Sequence, residues 1–383
     1  MDLWLLLLVS ISIFVGWILG RCKSFKKKVT PNQFENCSES YAQGLNYLLV
    51  DDSENAIKVF TKIIEVNPDT IEVHLSFGNL FRSKGEVDRA IKVHQNLLAR
   101  PDLSRIQRNA IIEELAKDYL KAGLLDRAEK LFRELIQLNN NNLIAYRYLL
   151  DLYIAEKSWD EAIDCAQVLF DQKYHDASTA LSQCLCEAAE KAVLKGNRRK
   201  ARDNLTKAIK VNENCVRAVL LLIQWHLNVQ DISAAKKVFQ RLIKKSPEFM
   251  ALYIEPAKRI FLQVKESTKY EVFLQQQYAQ QPSSRLAIAL LEHYETTNKL
   301  EKARQFLPEA LAKTPSFDVY NFALRFLRPE LMQLADTWRG LSSFLKAMQE
   351  NKAEFVCTQC GYESHSIQWH CPSCRNWSSM KSV

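Results

Sequence analysis

"GNLFRSKGEVDRAIKVHQNLLARP", residues 78–101, decides the fold. It places small Gly78, aromatic Phe81, small Ala90, bulky His94 and Pro101 in order, and 34 residues earlier stand Gly44, Tyr47, Ala56, Phe60 and Pro68, the proline shifted by one. Small, aromatic, small, bulky and proline marks on a 34-residue period are the signature of the tetratricopeptide unit, two helices joined by a turn. The small residue of the second helix continues at Ala128, Ala162, Ala201, Ala235 and Ala303, with intervals from Ala56 of 34, 38, 34, 39, 34 and 68. The last interval is two periods, so a degenerate unit is expected near residues 250–283. About eight units plus capping helices then fill residues 37–349, with short insertions after the second and fourth.

The marks have physical causes. Two amphipathic helices approach closely only where a small residue faces a small residue, and Phe60, Phe132 or Phe239 one turn later fills the seam with the next unit. Gly85, Gly123 and Gly196 fall where the first helix ends and a positive φ is wanted, and Pro68, Pro247 and Pro315 end second helices. An all-α array of this kind offers its face of first helices to an extended or helical partner. On that face the sequence places Tyr41, Leu45, Leu48 and Leu49 in the first unit, and Ile144, Arg147, Asp151 and Ile154 in the fourth. "KGNRRKAR", residues 195–202, reads as a solvated turn and helix start rather than a docking patch for an acidic partner.

Ahead of the array, Leu3 to Gly20 run without a charge, about 27 Å as a helix and enough to cross a bilayer core. Asp2 precedes this run, while Arg21, Lys23, Lys26, Lys27 and Lys28 follow it. A cleaved signal peptide carries its positive charge in front, so residues 1–20 are expected to be a transmembrane anchor and residues 21–36 a basic juxtamembrane linker. The positive-inside rule leaves everything from Arg21 onward in the cytoplasm. Half of the formal net charge of +8 belongs to this stretch: beyond residue 28 the chain holds 47 basic and 43 acidic residues, a net +4. That is too mild to argue for a phosphate-binding surface and gives no ground for nucleic acid. Of nine glycines, two lie in the apolar run and five at repeat positions. No glycine-rich phosphate loop, zinc-protease motif or hydrolase elbow is present.

Residues 354–383 form a separate module. "CTQCGYESHSIQWHCPSCRNW", residues 357–377, holds Cys357, Cys360, Cys371 and Cys374 as two Cys-x2-Cys knuckles, the spacing that closes on one metal ion. Gly361 permits the positive φ of the first knuckle. Four thiolates make a closed structural site, His365 and His370 are bystanders, and the ion is iron or zinc. A module of this size cannot bury enough surface to fold alone, so the ion replaces a core. Cys22, Cys37, Cys165, Cys184, Cys186 and Cys215 read as small hydrophobes in a reducing compartment.

An N-terminal anchor, a tetratricopeptide array and a rubredoxin-like "CTQCGY...CPSCRNW" tail, in this order, resemble the lipopolysaccharide assembly protein B family of Gram-negative bacteria along the whole chain. The resemblance implies a single-pass inner-membrane protein with its N-terminus in the periplasm and its bulk on the cytoplasmic side. It implies a non-enzymatic adaptor that regulates lipopolysaccharide synthesis by bringing LpxC, the zinc deacetylase that commits precursors to lipid A, to the membrane AAA+ protease FtsH for degradation. Other lipopolysaccharide assembly proteins are further possible partners, and the family's metal ligands fall on Cys357, Cys360, Cys371 and Cys374. Two other readings stay open: a general scaffold gathering lipopolysaccharide enzymes at the membrane, and a rubredoxin-type electron carrier using iron.

Overall fold

The structure, a computed structural model, describes residues 71–245, 249–263, 266–325 and 355–382, with residues 43, 44, 46, 47, 55, 58, 59 and 353 besides. The expected anchor and linker, Tyr41, Leu45, Leu48 and Leu49 of the first unit, Pro68, Pro247, and residues 326–349 at the end of the expected array lie outside the described residues.

Among the described residues seven helix pairs follow one another: α1 (Ile71–Ser83) with α2 (Val87–Leu98), α3 (Arg105–Lys121) with α4 (Leu125–Leu138), α5 (Leu143–Glu156) with α6 (Trp159–Asp171), and α7 (Ala177–Leu194) with α8 (Arg198–Val211). Then come α9 (Val216–Asn228) with α10 (Ile232–Lys245), α11 (Met250–Gln263) with α12 (Ser267–Gln280), α13 (Ser284–Thr296) with α14 (Leu300–Lys313), and a further helix α15 (Phe317–Arg325). This is a tetratricopeptide solenoid. The chain forms two compact units, one ending at Ala145 and one running from Tyr146 to Val383.

The alanine marks land at the fourth residue of their helices and carry the packing: Ala90, Ala128, Ala162, Ala201 and Ala235 expose nothing and Ala303 almost nothing. In the degenerate unit Tyr270 takes this position on α12. It is buried, its ring 6.1 Å from Phe261 and 5.1 Å from His293. A ring cannot sit where two backbones touch, so this pair packs through a cluster of aromatics instead, Phe239, Phe261 and Phe273 among them. The insertions lengthen first helices: α3 has 17 residues and α7 has 18, where the other paired helices have 12 to 14.

Among the described residues, six first helices end in a turn whose penultimate residue is left-handed. Glycine holds it at Gly85 (φ +83°), Gly123 (+74°) and Gly196 (+75°), but Lys157, Gln230 and Asn298 hold it at +57°, +60° and +56°. The next residue's N–H reaches back to a carbonyl five residues before it, as in Glu86 to Phe81 (2.9 Å) and Ser158 to Tyr153 (2.9 Å), the paired closure that satisfies the last carbonyls of a helix.

In the second repeat the bulky position after Ala90 is polar. His94 is fully buried on α2 and pressed against Gly78 of α1, where a Cβ would lie 2.5 Å from its Cε1. Its Nδ1 pairs with Asp118 Oδ2 of α3 at 2.5 Å, and Asp118 Oδ1 accepts from Arg82 Nη1 of α1 at 2.9 Å. One buried carboxyl therefore ties three helices of two adjacent repeats.

The tail adds a small antiparallel sheet in the order β2-β1-β3, with β1 Phe355–Cys357, β2 Glu363–Ser364 and β3 Met380–Ser382. Phe355 opposes Ser364 on one side and Ser382 on the other. This places Cys357 at the end of the central strand, beside the knuckle it opens.

Candidate metal centre and its seat on the repeats

The first knuckle turns at Gly361 (φ +74°), whose N–H returns to Cys357 O at 2.9 Å; the Cys357 N–H in turn reaches Tyr362 O at 2.8 Å. The second repeats the geometry with a different residue. Arg375 stands where Gly361 stands in the first, at φ +58°, and its N–H returns to Cys371 O at 2.9 Å. Only the glycine was legible from the sequence.

The two turns bring the Sγ atoms of Cys357, Cys360, Cys371 and Cys374 within 4.8 Å of one another. Cys357 and Cys374 are 3.6 Å apart, and Cys360 and Cys371 are 3.7 Å apart. Four sulfurs about 2.3 Å from a central ion stand about 3.8 Å from each other in a tetrahedron, so the set fits a metal. It does not fit disulfides, whose sulfurs lie about 2 Å apart. Cys357 and Cys371 are buried, Cys374 is half-buried and Cys360 is exposed.

The surroundings favour the thiolate at Cys357 and Cys360. The Ser379 hydroxyl, 3.2 Å from Cys357 Sγ, and the amides of Gln359 and Cys360 hold the Cys357 thiol down to about 6 against burial, which raises it. The Tyr362 amide lowers Cys360. At Cys374 the Asn376 amide pulls downward, but burial and the neighbouring sulfurs of Cys360, Cys371 and Cys357 push it up to about 11. Four sulfurs without a cation share protons; a cation displaces them. His370 is not among the ligands: it stacks on Trp377 with centroids 4.4 Å apart, and burial lowers its pKa, so it is neutral near pH 7. Cys165, Cys184, Cys186 and Cys215 are all buried within the array, and burial pushes the Cys184 thiol up to about 12.

The tail rests on the first helices of its own unit. Gln183 of α7 donates to Ser378 Oγ at 2.9 Å and is itself held by Arg217 of α9, whose guanidinium pairs with Glu187 (2.8 Å) and Glu190. Leu252 of α11 packs on the tail's core of Phe355, Cys357, Cys371 and Met380. Arg285 of α13 lies over the Phe355 ring at 5.7 Å, and Trp369 packs against the core of the array. Sequence reading found the ligands but not this seat, because Gln183 and Ser378 are 195 positions apart and neither belongs to a motif.

Of the residues expected on the partner face, Arg147 and Asp151 pair with each other on α5 and line a cleft of about 610 Å³ shared with Arg375, Asn376 and Trp377 of the tail. Ile144 is about half exposed, whereas Ile154 is buried in the packing.

Comparisons with known proteins agree in outline. Residues 355–382 match the rubredoxin metal binding domain family, and residues 40–70, 74–106 and 113–181 match tetratricopeptide repeat families. The chain is 27% identical to lipopolysaccharide assembly protein B of Escherichia coli K12 over 381 residues, 99% of this chain and 97% of that protein. It is 30% identical to the protein of the same name in Haemophilus influenzae over 393 residues, 99% of this chain and 98% of that one. Among solved structures, the C-terminal part of a repeat-containing protein from Cytophaga hutchinsonii superposes with a TM-score of 0.45 at 15% identity, over 63% of this chain and 95% of that one.

Proposed function

The chain belongs to the lipopolysaccharide assembly protein B family, and from that premise we propose that it is a non-enzymatic adaptor in lipopolysaccharide assembly. It works at the cytoplasmic side of the inner membrane, bringing the lipid A deacetylase LpxC to the protease FtsH. The observation that carries an adaptor rather than an enzyme is the donor set itself: Cys357, Cys360, Cys371 and Cys374 close a tetrahedron and leave no position for water or substrate. When bound, the ion supplies a cross-link between the two knuckles. Gln183, Leu252 and Arg285 then hold the cross-linked module on the first helices, giving a rigid composite surface. An anchor at residues 1–20 confines that surface to the neighbourhood of a membrane protease and raises the effective concentration of what it carries. Isolation of the full chain from solubilised membranes tests the reading: deacetylase and protease should both come with it, and preparations that hold neither would overturn it.

The exposed Cys360 favours one alternative, a rubredoxin-type electron carrier, in which an exposed ligand faces the redox partner. That reading requires iron. Zinc-loaded protein that supports lipopolysaccharide regulation as well as iron-loaded protein decides against it; an absolute need for iron decides for it.

A further inference from the structure

The second helices α8 and α10 differ from the rest in charge. Helix α8, RRKARDNLTKAIKV, carries six basic residues against Asp203, and α10, ISAAKKVFQRLIKK, carries five and no acidic residue; α6, by contrast, carries four acidic residues and no basic one. Lys207, Lys210, Lys237, Arg241 and Lys244 are exposed and make no ion pair among the described residues. Lys237, Arg241 and Lys244 stand at i, i+4 and i+7, one face of α10 over about 11 Å.

Between these helices, with α9 beneath, lies a cavity of about 460 Å³ whose floor is Ile209, Val216, Val219, Leu222, Val238 and Leu242, with Lys210, Arg241 and the Lys245–Glu213 ion pair (2.6 Å) on its rim. No tail residue lines it. Cations on two walls and hydrocarbon on the floor form an amphipathic groove, the complement of a helix that carries acidic residues on its flanks and large apolar residues between them. A bilayer surface is planar: it would meet the cationic walls and leave the floor unfilled. The short basic stretch at residues 195–202 is then the start of a wall that continues through α8 and onto α10.

We infer that the groove between α8 and α10 is a docking site for an acidic amphipathic helix of another protein, with an apolar side chain in the cavity and its carboxylates on Lys210, Arg241 and their neighbours. This surface is distinct from the metal tail and from the face of first helices that seats it.

The probe is a synthetic helix with leucines on one face and flanking glutamates, labelled for fluorescence anisotropy and titrated onto the full chain in neutral detergent. Two controls accompany it: the same helix with lysines for glutamates, and an acidic peptide of equal charge with serines for leucines. The expected result is binding of the first, at least about tenfold tighter than either control, lost about tenfold in Lys210→Glu/Arg241→Glu and weakened in Val238→Gln, with melting temperatures unchanged. Equal binding of the serine peptide would reduce the groove to a nonspecific cationic surface and overturn the inference, as would no binding at all. Protection of Lys210 and Lys244 from acetylation in anionic but not neutral nanodiscs, without peptide binding, would assign the ridge to the membrane and also overturn it.

Discussion

Gly78→Ala tests how tightly the first described repeat is pinned. On an exposed helix the change is stabilising by about 1 kcal/mol, because alanine is the better helix former. Here the added Cβ would lie 2.5 Å from His94 Cε1 and 2.9 Å from Cδ2, with Nε2 closer still. The imidazole has no retreat: its Nδ1 is 2.5 Å from Asp118 Oδ2, both side chains are fully buried, and Asp118 is held on its other oxygen by Arg82. Overpacking of this kind costs about 1–3 kcal/mol. Pushing the ring off Asp118 leaves a buried polar group short of a partner for about 1–3 kcal/mol more. Set against the propensity gain, the net expectation is a loss of about 1–5 kcal/mol, felt in α1, α2 and α3 together. Amide hydrogen exchange of the full chain reads this as faster exchange over residues 71–121. The double variant Gly78→Ala/His94→Ala, which removes the clash, should be less destabilised than the sum of its singles. Slower exchange in Gly78→Ala, with the propensity gain showing through, would refute the packing described.

Other expectations concern the tail and the second unit. Cys357→Ser or Cys374→Ser should lose the metal and speed exchange throughout residues 355–382 while the helices keep their content; full metal by elemental analysis in either variant would contradict the four-sulfur site. Arg375→Gly removes a left-handed arginine worth about 1–2 kcal/mol of strain and returns about 0.5–1 kcal/mol of chain freedom. The second knuckle should therefore hold its metal longer against a chelator, and faster stripping would show the arginine to be unstrained. Burial raises Glu271, but hydrogen bonds from Lys299 (2.6 Å) and Lys302 (2.7 Å) win and hold its carboxyl below the usual 4.5. Its contribution is thus complete above the unfolded value and lost as pH falls through the lower folded one, so Glu271→Gln should melt lower at pH 7 and show a shallower acid limb; matching acid limbs would remove the pair from the stability of α12–α14.

The repeat was legible because its small residues do the same job each time: Ala90, Ala128, Ala162, Ala201, Ala235 and Ala303 are all in the seam. The ligand cysteines were legible because metal binding demands residue type and local spacing together. What escaped were features made by approach through space. Tyr270 breaks the alanine series and shows only a gap, since the aromatic cluster replacing the close contact is drawn from four helices. Lys157, Gln230 and Asn298 escaped because a left-handed turn tolerates a single non-glycine residue, leaving no mark in the sequence. The seat of the tail joins Gln183, Leu252 and Arg285 on three separate first helices, and the pin at His94 looked like one more bulky seam residue until Asp118 was placed beside it.

In the proposed adaptor role the chain shortens the life of its client without acting on it chemically. The measurement is the half-life of the lipid A deacetylase after protein synthesis is blocked, in cells with the protein, in cells depleted of it, and in cells whose only copy carries Cys357→Ser. The expected result is rapid loss in the first, persistence of the deacetylase with excess lipopolysaccharide in the second, and persistence in the third, since the module no longer holds its place on the first helices. A half-life that is the same in all three, with normal lipopolysaccharide, would contradict the adaptor reading.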